Sequence, residues 1–195
     1  MYSQNNEEEI ILTYFMDSPS GKFIDIGGFH PTQLSNTRCL VERGWSGVYV
    51  EPSPVCMPAF TEAYSNNSNI TLIQKAITSK SGIAKFFESN GDAVGTLSEL
   101  HRQLWSTAIN FTETEVETLA MSSFLEDHFA DTDFMSIDVE GTNLELFNLL
   151  PDSVLSQIKM LCIEHEGNHE YIENRCNVFG FKQLLWNAEN IILAK

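Results

Sequence analysis

Residues 22–54 contain, in order, a β-like run, two glycines, a helical stretch and a second run that ends in an acid. The first run, Lys22 to Ile26, is rich in β-branched and aromatic residues and predicts a buried strand that stops at Gly27-Gly28. Helical spacing follows, and the run Val48 to Val50 predicts a second strand that ends at Glu51. A strand, a helix and a strand in this order form a parallel pair with a crossover helix. The span therefore predicts an α/β fold.

The same alternation continues along the chain with weaker signals. It predicts a mostly parallel sheet covered on both faces, with ligands bound beyond the carboxyl ends of the strands. We expect one domain over 1–195, in which residues 1–21 form an N-terminal helical segment before the first strand, and an antiparallel hairpin closes the chain at Phe181–Trp186 and Ile191–Leu193. Further strands are predicted at Ile70–Ile77, Ile83–Phe87, Phe134–Val139 and Met160–Glu164. Helices are predicted at 34–43, 54–64, 97–109, 120–129, 144–150 and 171–179.

Charge and cysteine content narrow the classes of partner. The chain has 27 acidic and 11 basic residues, for a net charge of -16, and such a surface repels phosphate backbones and anionic lipids. We therefore expect a small-molecule partner, neither nucleic acid nor membrane. The four cysteines are widely spaced and form no zinc-binding pattern. With no basic, apolar leader at the N-terminus and no long apolar run, the sequence favours a cytoplasmic location.

The residues after the first strand discriminate between nucleotides. Glu51 lies about where an acid that accepts hydrogen bonds from ribose hydroxyls is expected. A dinucleotide, however, requires G-x-G-x-x-G so that its pyrophosphate can approach the main chain, whereas Gly27-Gly28 are followed here by Phe29, His30 and Pro31. S-adenosylmethionine has a ribose but no phosphate. The pattern therefore favours S-adenosylmethionine as the cofactor.

Several motifs together resemble the FkbM-type S-adenosylmethionine-dependent methyltransferases over nearly the whole chain. They are "FIDIGGFHP", "SNT", "GWSGVYVEPSP", "KAITSKSG", "FMSIDVEG" and "LCIEHE". The resemblance implies a class I methyltransferase fold, which is a Rossmann-like three-layer sandwich around a seven-stranded sheet. It also implies methylation of a hydroxyl group, often on a sugar or another small molecule.

The resemblance also implies which residues contact the cofactor. The glycine turn would hold it, an acid after the second strand would bind the ribose, and two acids would stand at the cofactor-facing end of the fourth strand. His30, just past the turn, would either shape the pocket near the methionine part or only cap the following helix. The expected cofactor contacts are Asp25, Gly27, Gly28, His30, Glu51 and Glu140, with Asp138 beside them.

Two positions depart from the family pattern. Asn143 stands where members commonly carry an acid, and Gly28 stands where they carry another small residue. The chain is also short, which leaves little room for an inserted lid over the substrate.

Methylation of a hydroxyl group is faster when a base removes the hydroxyl proton. Asp138 and His165 are the candidates, because both lie at the ends of predicted strands and His165 lies between two acids that would raise its pKa. The alternative is structural: Asp138 orders the loop, Glu140 caps the next helix, and His165 is an ordinary polar residue.

A metal site is a further alternative. Mg²⁺ or Mn²⁺ is compatible with ligands from Asp138, Glu164 and His165, together with His30 or His169. Their spacing is not diagnostic, so no metal ligands are assigned.

We therefore predict an S-adenosylmethionine-dependent O-methyltransferase that acts on a small molecule or a carbohydrate. The alternative is an inactive nucleoside-binding or interaction module with the same fold. An NAD-dependent oxidoreductase is disfavoured by the missing glycines.

Overall fold

The computed structural model describes all 195 residues as two sheets and eight helices. Strands and helices alternate along most of the chain, as the sequence predicts. The strands are β1 (Lys22–Ile26), β2 (Ser46–Val50), β3 (Ile70–Ile73), β4 (Ala76–Thr78), β5 (Gly82–Glu88), β6 (Thr112–Ala120), β7 (Phe134–Ile137), β8 (Met160–Glu164), β9 (Lys182–Trp186) and β10 (Asn190–Ala194). The helices are α1 (Glu7–Tyr14), α2 (Arg38–Glu42), α3 (Met57–Tyr64), α4 (Glu99–Trp105), α5 (Met121–His128), α6 (Asn143–Leu149), α7 (Asp152–Gln157) and α8 (His169–Asn177).

The main sheet has seven strands in the order β3-β2-β1-β7-β8-β10-β9. Strands β3, β2, β1, β7 and β8 are parallel to one another, and β10 runs antiparallel to both β8 and β9. Strand β9 therefore points the same way as the parallel strands. The predicted fold class and the closing hairpin are confirmed. The carboxyl ends of six strands meet at one edge of this sheet.

The core lies on both faces of the main sheet, because neighbouring residues of a strand point to opposite sides. Phe23 and Tyr49 belong to one cluster of 15 buried residues, and Ile24 and Val48 belong to another of 23. Both faces of the central strands are thus covered. This explains why they appear in the sequence as short continuous apolar runs rather than as an alternating pattern.

The second sheet has three strands in the order β4-β6-β5 and was only partly predicted. The predicted strand Ile70–Ile77 is in fact two strands, β3 in the main sheet and β4 in the small one. Strand β6 was missed because six of its nine side chains are polar and only Val116 and Thr118 are buried. Together with α4, these strands form an insertion between β3 and β7 of the main sheet.

Two smaller differences concern the region after β6. Strand β7 ends at Ile137 rather than Val139, and Pro151, which ends one helix as expected, is followed directly by the unpredicted helix α7. None of the helices is long and apolar enough to span a lipid bilayer.

Candidate active site

The glycine turn joins β1 to the edge where the strands end. Gly27 has a φ of +87°, and a Cβ built on it would lie 1.6 Å from the carbonyl oxygen of Asp138. Its N–H donates to Val50 O at 2.8 Å. Gly28 has no positive φ, and its Cβ would only touch the rings of Phe60 and Tyr49 at 3.0 and 3.1 Å. Gly27 is thus required by the close packing of β1 against the end of β7, whereas Gly28 is required less strictly.

Glu51 connects the end of β2 to this turn. Its Oε2 accepts a hydrogen bond from Phe29 N at 2.9 Å, and its Oε1 accepts one from Ser53 N at 2.7 Å. The side chain is only 6% exposed. Burial raises its pKa to about 7, although the two N–H groups act in the opposite direction. Each carboxylate oxygen retains a second lone pair that can accept another hydrogen bond.

Asp25 lies on β1, one residue before the strand ends, and is buried. Its Oδ2 accepts a hydrogen bond from Thr37 Oγ1 at 2.6 Å. Burial raises the pKa of Asp25 to about 6. The carboxyl group therefore stands below the turn, where it holds the loop that leads into α2.

Three carboxyl groups meet where β7 and β8 end. One carboxylate oxygen from each of Asp138, Glu140 and Glu164 lies within 4.8 Å of the other two. Asp138 Oδ1 is fully buried and has no hydrogen-bond partner. Burial, and then the charges of Glu164 and Glu140, raise the pKa of Asp138 well above its ordinary value. Burial and the charge of Glu140 also raise the pKa of Glu164 to about 7.

Asn143 fixes the arrangement of these acids. Its side chain is completely buried, and its Nδ2 donates to Glu164 Oε2 at 2.5 Å and to Glu166 Oε1 at 3.1 Å. Its Oδ1 accepts from Val139 N at 2.8 Å. An acid at this position, common in the family pattern, would have no proton to donate to Glu164 when ionised. The departure noted in the sequence is therefore part of how the two strand ends are joined.

His101 is a site residue that the sequence analysis missed. It lies on α4 of the insertion, and its Nε2 is 2.9 Å from Glu140 Oε2. Burial lowers the pKa of His101, but the carboxylates of Glu140, Glu164 and Glu166 outweigh this effect and raise it. No local motif marks this histidine, because the contact depends on how the small sheet and α4 pack on the main sheet.

The structure places His165 away from the three carboxyl groups and does not support the expectation that it is a base. Its Nδ1 accepts from Gly167 N at 2.9 Å, and its Nε2 is 3.2 Å from both Asn187 O and Trp186 Nε1. The ring thus faces the β9–β10 hairpin. Residues 165 and 164 point to opposite sides because they are consecutive in an extended segment.

His30 also occupies a structural position. Its Nδ1 accepts from the N–H groups of Thr32 and Gln33, each at 3.1 Å, so the ring caps the turn rather than the following helix, which begins at Arg38. It does not line the cleft described below. His169 stacks on Trp186 at 4.4 Å between ring centroids. None of these histidines joins the cluster of carboxyl groups.

Two adjoining cavities form a cleft along this edge of the sheet. The first has apolar walls from Val50, Ile77 and Phe86, with Glu51 among them. The second is polar and contains Asp25 together with Gln4, Ser35, Asn36 and Ser136. The two cavities share five lining residues, which are Gly27, Phe29, Ala93, Asp138 and Glu140.

Residues 25–186 match the family described as the Methyltransferase FkbM domain. The chain belongs to this family. No curated protein matches it by sequence. Among solved structures, the FkbM chain is similar to the METTL16 MTase domain (crystal form 2), with 12% identity, a TM-score of 0.52, and coverage of 96% of this chain and 63% of that one. The chain is also similar to the delta-N METTL16 MTase domain, with 10% identity and a TM-score of 0.51, over 99% of this chain and 83% of that one.

A third similar structure is the fibrillarin pre-rRNA processing protein of Methanococcus jannaschii, with 12% identity and a TM-score of 0.44, over 90% of this chain. The chain spans 66% of that protein and 63% of the first METTL16 structure. With the strand order described above, the METTL16 structures confirm the class I methyltransferase fold.

S-adenosylmethionine is the methyl donor of this family and fold. The donor set of the cleft fits it. The molecule is cationic at its sulfur and at its amino group, and the shared wall of the two cavities carries Asp138 and Glu140. The buried and unpartnered Asp138 Oδ1 is an acceptor without a donor in the protein. An apolar cavity beside a polar one matches an adenine ring followed by an amino-acid part.

Proposed function

We propose that this protein transfers a methyl group from S-adenosylmethionine to a hydroxyl oxygen of a small molecule or a carbohydrate. The observation that carries the proposal is the position of Asp138 and Glu140 where the apolar and polar cavities meet. At that junction a reacting methyl group and an acidic side chain would lie side by side. The proposal includes a cytoplasmic location, supported by four cysteines buried as free thiols.

The first cavity would hold the nucleoside. Glu51 would accept hydrogen bonds from the ribose hydroxyls through the lone pairs that Phe29 and Ser53 leave free. Ile77 and Phe86 provide apolar contact for the adenine ring. Because Glu51 is already fixed by two main-chain N–H groups, little conformational entropy is lost when it binds the ribose.

The second cavity would hold the amino-acid part of the cofactor. Asp25, below the glycine turn, and the polar side chains of Ser35 and Asn36 line it. Gln4 of the N-terminal segment closes one side and is itself held by a hydrogen bond from its Nε2 to Glu189 Oε1 at 2.9 Å. The predicted contact to His30 is not part of the proposal, because that ring caps the turn instead.

Methyl transfer requires alignment of the acceptor oxygen with the carbon–sulfur bond. The cofactor supplies a methyl group activated by a positively charged sulfur. Asp138 and Glu164 together would accept the hydroxyl proton as the new oxygen–carbon bond forms. A general base is most effective when its pKa is near the working pH, and the pKa of Glu164 is raised to about 7.

The acceptor class is supported by charge. The negative charge of the chain and of the cleft opposes a polyanionic acceptor such as nucleic acid. Hydroxyl groups of neutral or cationic molecules are not opposed in this way. The insertion formed by β4, β5, β6 and α4 contributes one wall of the first cavity, beside the proposed nucleoside.

The test is incubation with S-adenosylmethionine and a panel of sugars, glycosides and phenols, followed by mass spectrometry of the products. We expect a mono-methylated ether from at least one compound, and loss of that product in Asp138→Asn but not in Glu115→Gln, an exposed acid on β6. Cofactor binding without any methylated product would favour the inactive module. Methylation only of amines or RNA would contradict the proposed acceptor class.

A further inference from the structure

Glu88 is a buried acid of the cleft that has no part in the methyl transfer proposed above. It is the last residue of β5, it is only 4% exposed, and it lines the first cavity together with Glu51. No lysine, arginine or histidine forms an ion pair with it. Burial of a carboxyl group without a cation is unfavourable unless hydrogen-bond donors replace the lost water. The donors around Glu88 therefore decide what it can bind.

The protein supplies two donors that fix the Glu88 carboxyl group. Ser53 Oγ donates to Glu88 Oε2 at 2.5 Å, and Asn90 N donates to Glu88 Oε1 at 3.1 Å. The direction of the first bond is set, because Ser53 Oγ itself accepts from Val55 N and Cys56 N at 3.1 and 3.0 Å. Each carboxylate oxygen keeps a second lone pair. Glu88 is thus an acceptor held in place at the cavity wall, with capacity for a further hydrogen bond.

The position of Glu88 along β5 indicates which part of the cofactor it faces. Side chains two residues apart in a strand share a face, and Phe86 and Glu88 both line the first cavity, whereas Phe87 does not. Phe87 instead packs under Arg102, whose guanidinium carbon is 5.2 Å from the centroid of its ring. Two main-chain hydrogen bonds between Phe87 and Thr96, at 2.8 and 3.1 Å, hold this end of the strand. Glu88 therefore lies about 7 Å along the strand from Phe86, the ring proposed to contact adenine.

We propose that Glu88 accepts a hydrogen bond from the exocyclic amino group of adenine and makes the cleft selective for this base. The amino group of adenine is a donor, whereas ring nitrogens N3 and N7 are acceptors. The ribose hydroxyls are already matched by Glu51, so the amino group is the donor of the nucleoside that still lacks a partner. This inference rests on the proposed placement of the nucleoside in the first cavity, but not on which molecule is methylated.

The inserted sheet thereby acquires a role in cofactor recognition. Glu51 follows a strand of the main sheet, whereas Glu88 belongs to β5 of the small sheet. Ser53 joins the two acids, because its N–H donates to Glu51 Oε1 at 2.7 Å and its hydroxyl donates to Glu88. One serine thus fixes the acid for the ribose relative to the acid for the base.

The test compares S-adenosylhomocysteine with its purine analogue, in which hydrogen replaces the amino group of adenine. Calorimetric titration with each ligand gives a ratio of two dissociation constants. We expect the wild type to bind the analogue at least about tenfold more weakly, because a buried acceptor loses its donor. The ratio should fall below about threefold in Glu88→Ala. In Glu88→Gln it should lie between these values, since a neutral acceptor forms a weaker hydrogen bond.

Glu51→Gln is the matched control, because it removes a carboxyl group from the same cavity without changing the contact to the base. It should weaken the binding of both ligands alike and leave their ratio at the wild-type value. Circular dichroism establishes that each variant is folded. Glu88→Gln, which keeps the volume of the side chain, decides the matter if Glu88→Ala does not fold.

Equal affinity of the wild type for the two ligands overturns the proposal, and so does a wild-type ratio in folded Glu88→Gln. Either result, with S-adenosylhomocysteine still bound, removes only the contact to the base and leaves the proposed methyl transfer standing. No binding of S-adenosylhomocysteine to the wild type would contradict both. Failure of the base contact and failure of the proposed function are thereby distinguished.

Discussion

Replacement of the two turn glycines separately by alanine should have very different consequences. The two positions are adjacent and the chemical change is identical. At Gly27 the new Cβ would lie 1.6 Å from Asp138 O, on a residue with φ of +87°. At Gly28 it would lie 3.0 Å from a Phe60 ring carbon, with no positive φ.

The magnitudes follow from these contacts. A left-handed φ costs an alanine about 1–2 kcal/mol, and a main-chain oxygen at 1.6 Å cannot rotate away, so β1 and the end of β7 must separate. Losing the pairing there brings the expected total for Gly27→Ala to about 4 kcal/mol. For Gly28→Ala, two side-chain rings need to move only slightly, and we expect less than about 1.5 kcal/mol.

Thermal unfolding followed by circular dichroism measures the difference. For a chain of this size, about 1 kcal/mol corresponds to about 2–4 °C, so Gly27→Ala should lower the midpoint by about 8–16 °C and Gly28→Ala by less than about 6 °C. The same Gly27 variant should displace Asp138 and weaken cofactor binding. Equal midpoints for the two variants would refute the close packing of the turn against β7.

Two further predictions concern ionisable groups. Burial raises the pKa of Glu51 from 4.5 to about 7. Between these two pH values the folded state therefore binds more protons than the unfolded state. The unfolding free energy of the wild type should fall by up to about 3 kcal/mol as the pH rises through this range. Glu51→Gln removes this titration. Urea unfolding at about pH 5 and about pH 8 should therefore show that the difference in stability between the wild type and Glu51→Gln changes with pH. A difference that stays constant would contradict the raised pKa of the buried carboxyl group. His165→Ala should leave the pH profile of kcat unchanged, because its ring faces the hairpin, whereas Asp138→Asn should lower kcat at least about a hundredfold. A large loss of kcat in folded His165→Ala, with Asp138→Asn active, would reverse the assignment of the base.

The strands of the main sheet could be predicted because each is a short apolar run closed by a turn residue. Ile24 and Val48 are buried on the same face of the sheet, and such continuous runs identify a parallel sheet without long-range information. Strand β6 could not be predicted, because only two of its nine side chains are buried and its position depends on pairing with β4 and β5.

The candidate site also contains residues whose position the sequence predicts and residues whose position it does not. Gly27 and Glu51 follow strands directly, so their position at the sheet edge follows from the fold alone. His165 also follows a strand, but which face a side chain takes after a strand ends depends on the loop beyond it. His101 belongs to the insertion, and its contact with Glu140 exists only once the two sheets have packed together.

The central claim is that the cleft binds S-adenosylmethionine with Glu51 on its ribose. Calorimetric titration with S-adenosylhomocysteine tests it most directly, on the wild type, Glu51→Ala and the control Glu115→Gln. We expect one molecule bound per chain, affinity reduced at least about tenfold in Glu51→Ala, and no change in the control. No saturable binding to the wild type at about 1 mM ligand, or equal affinity in folded Glu51→Ala, would contradict it.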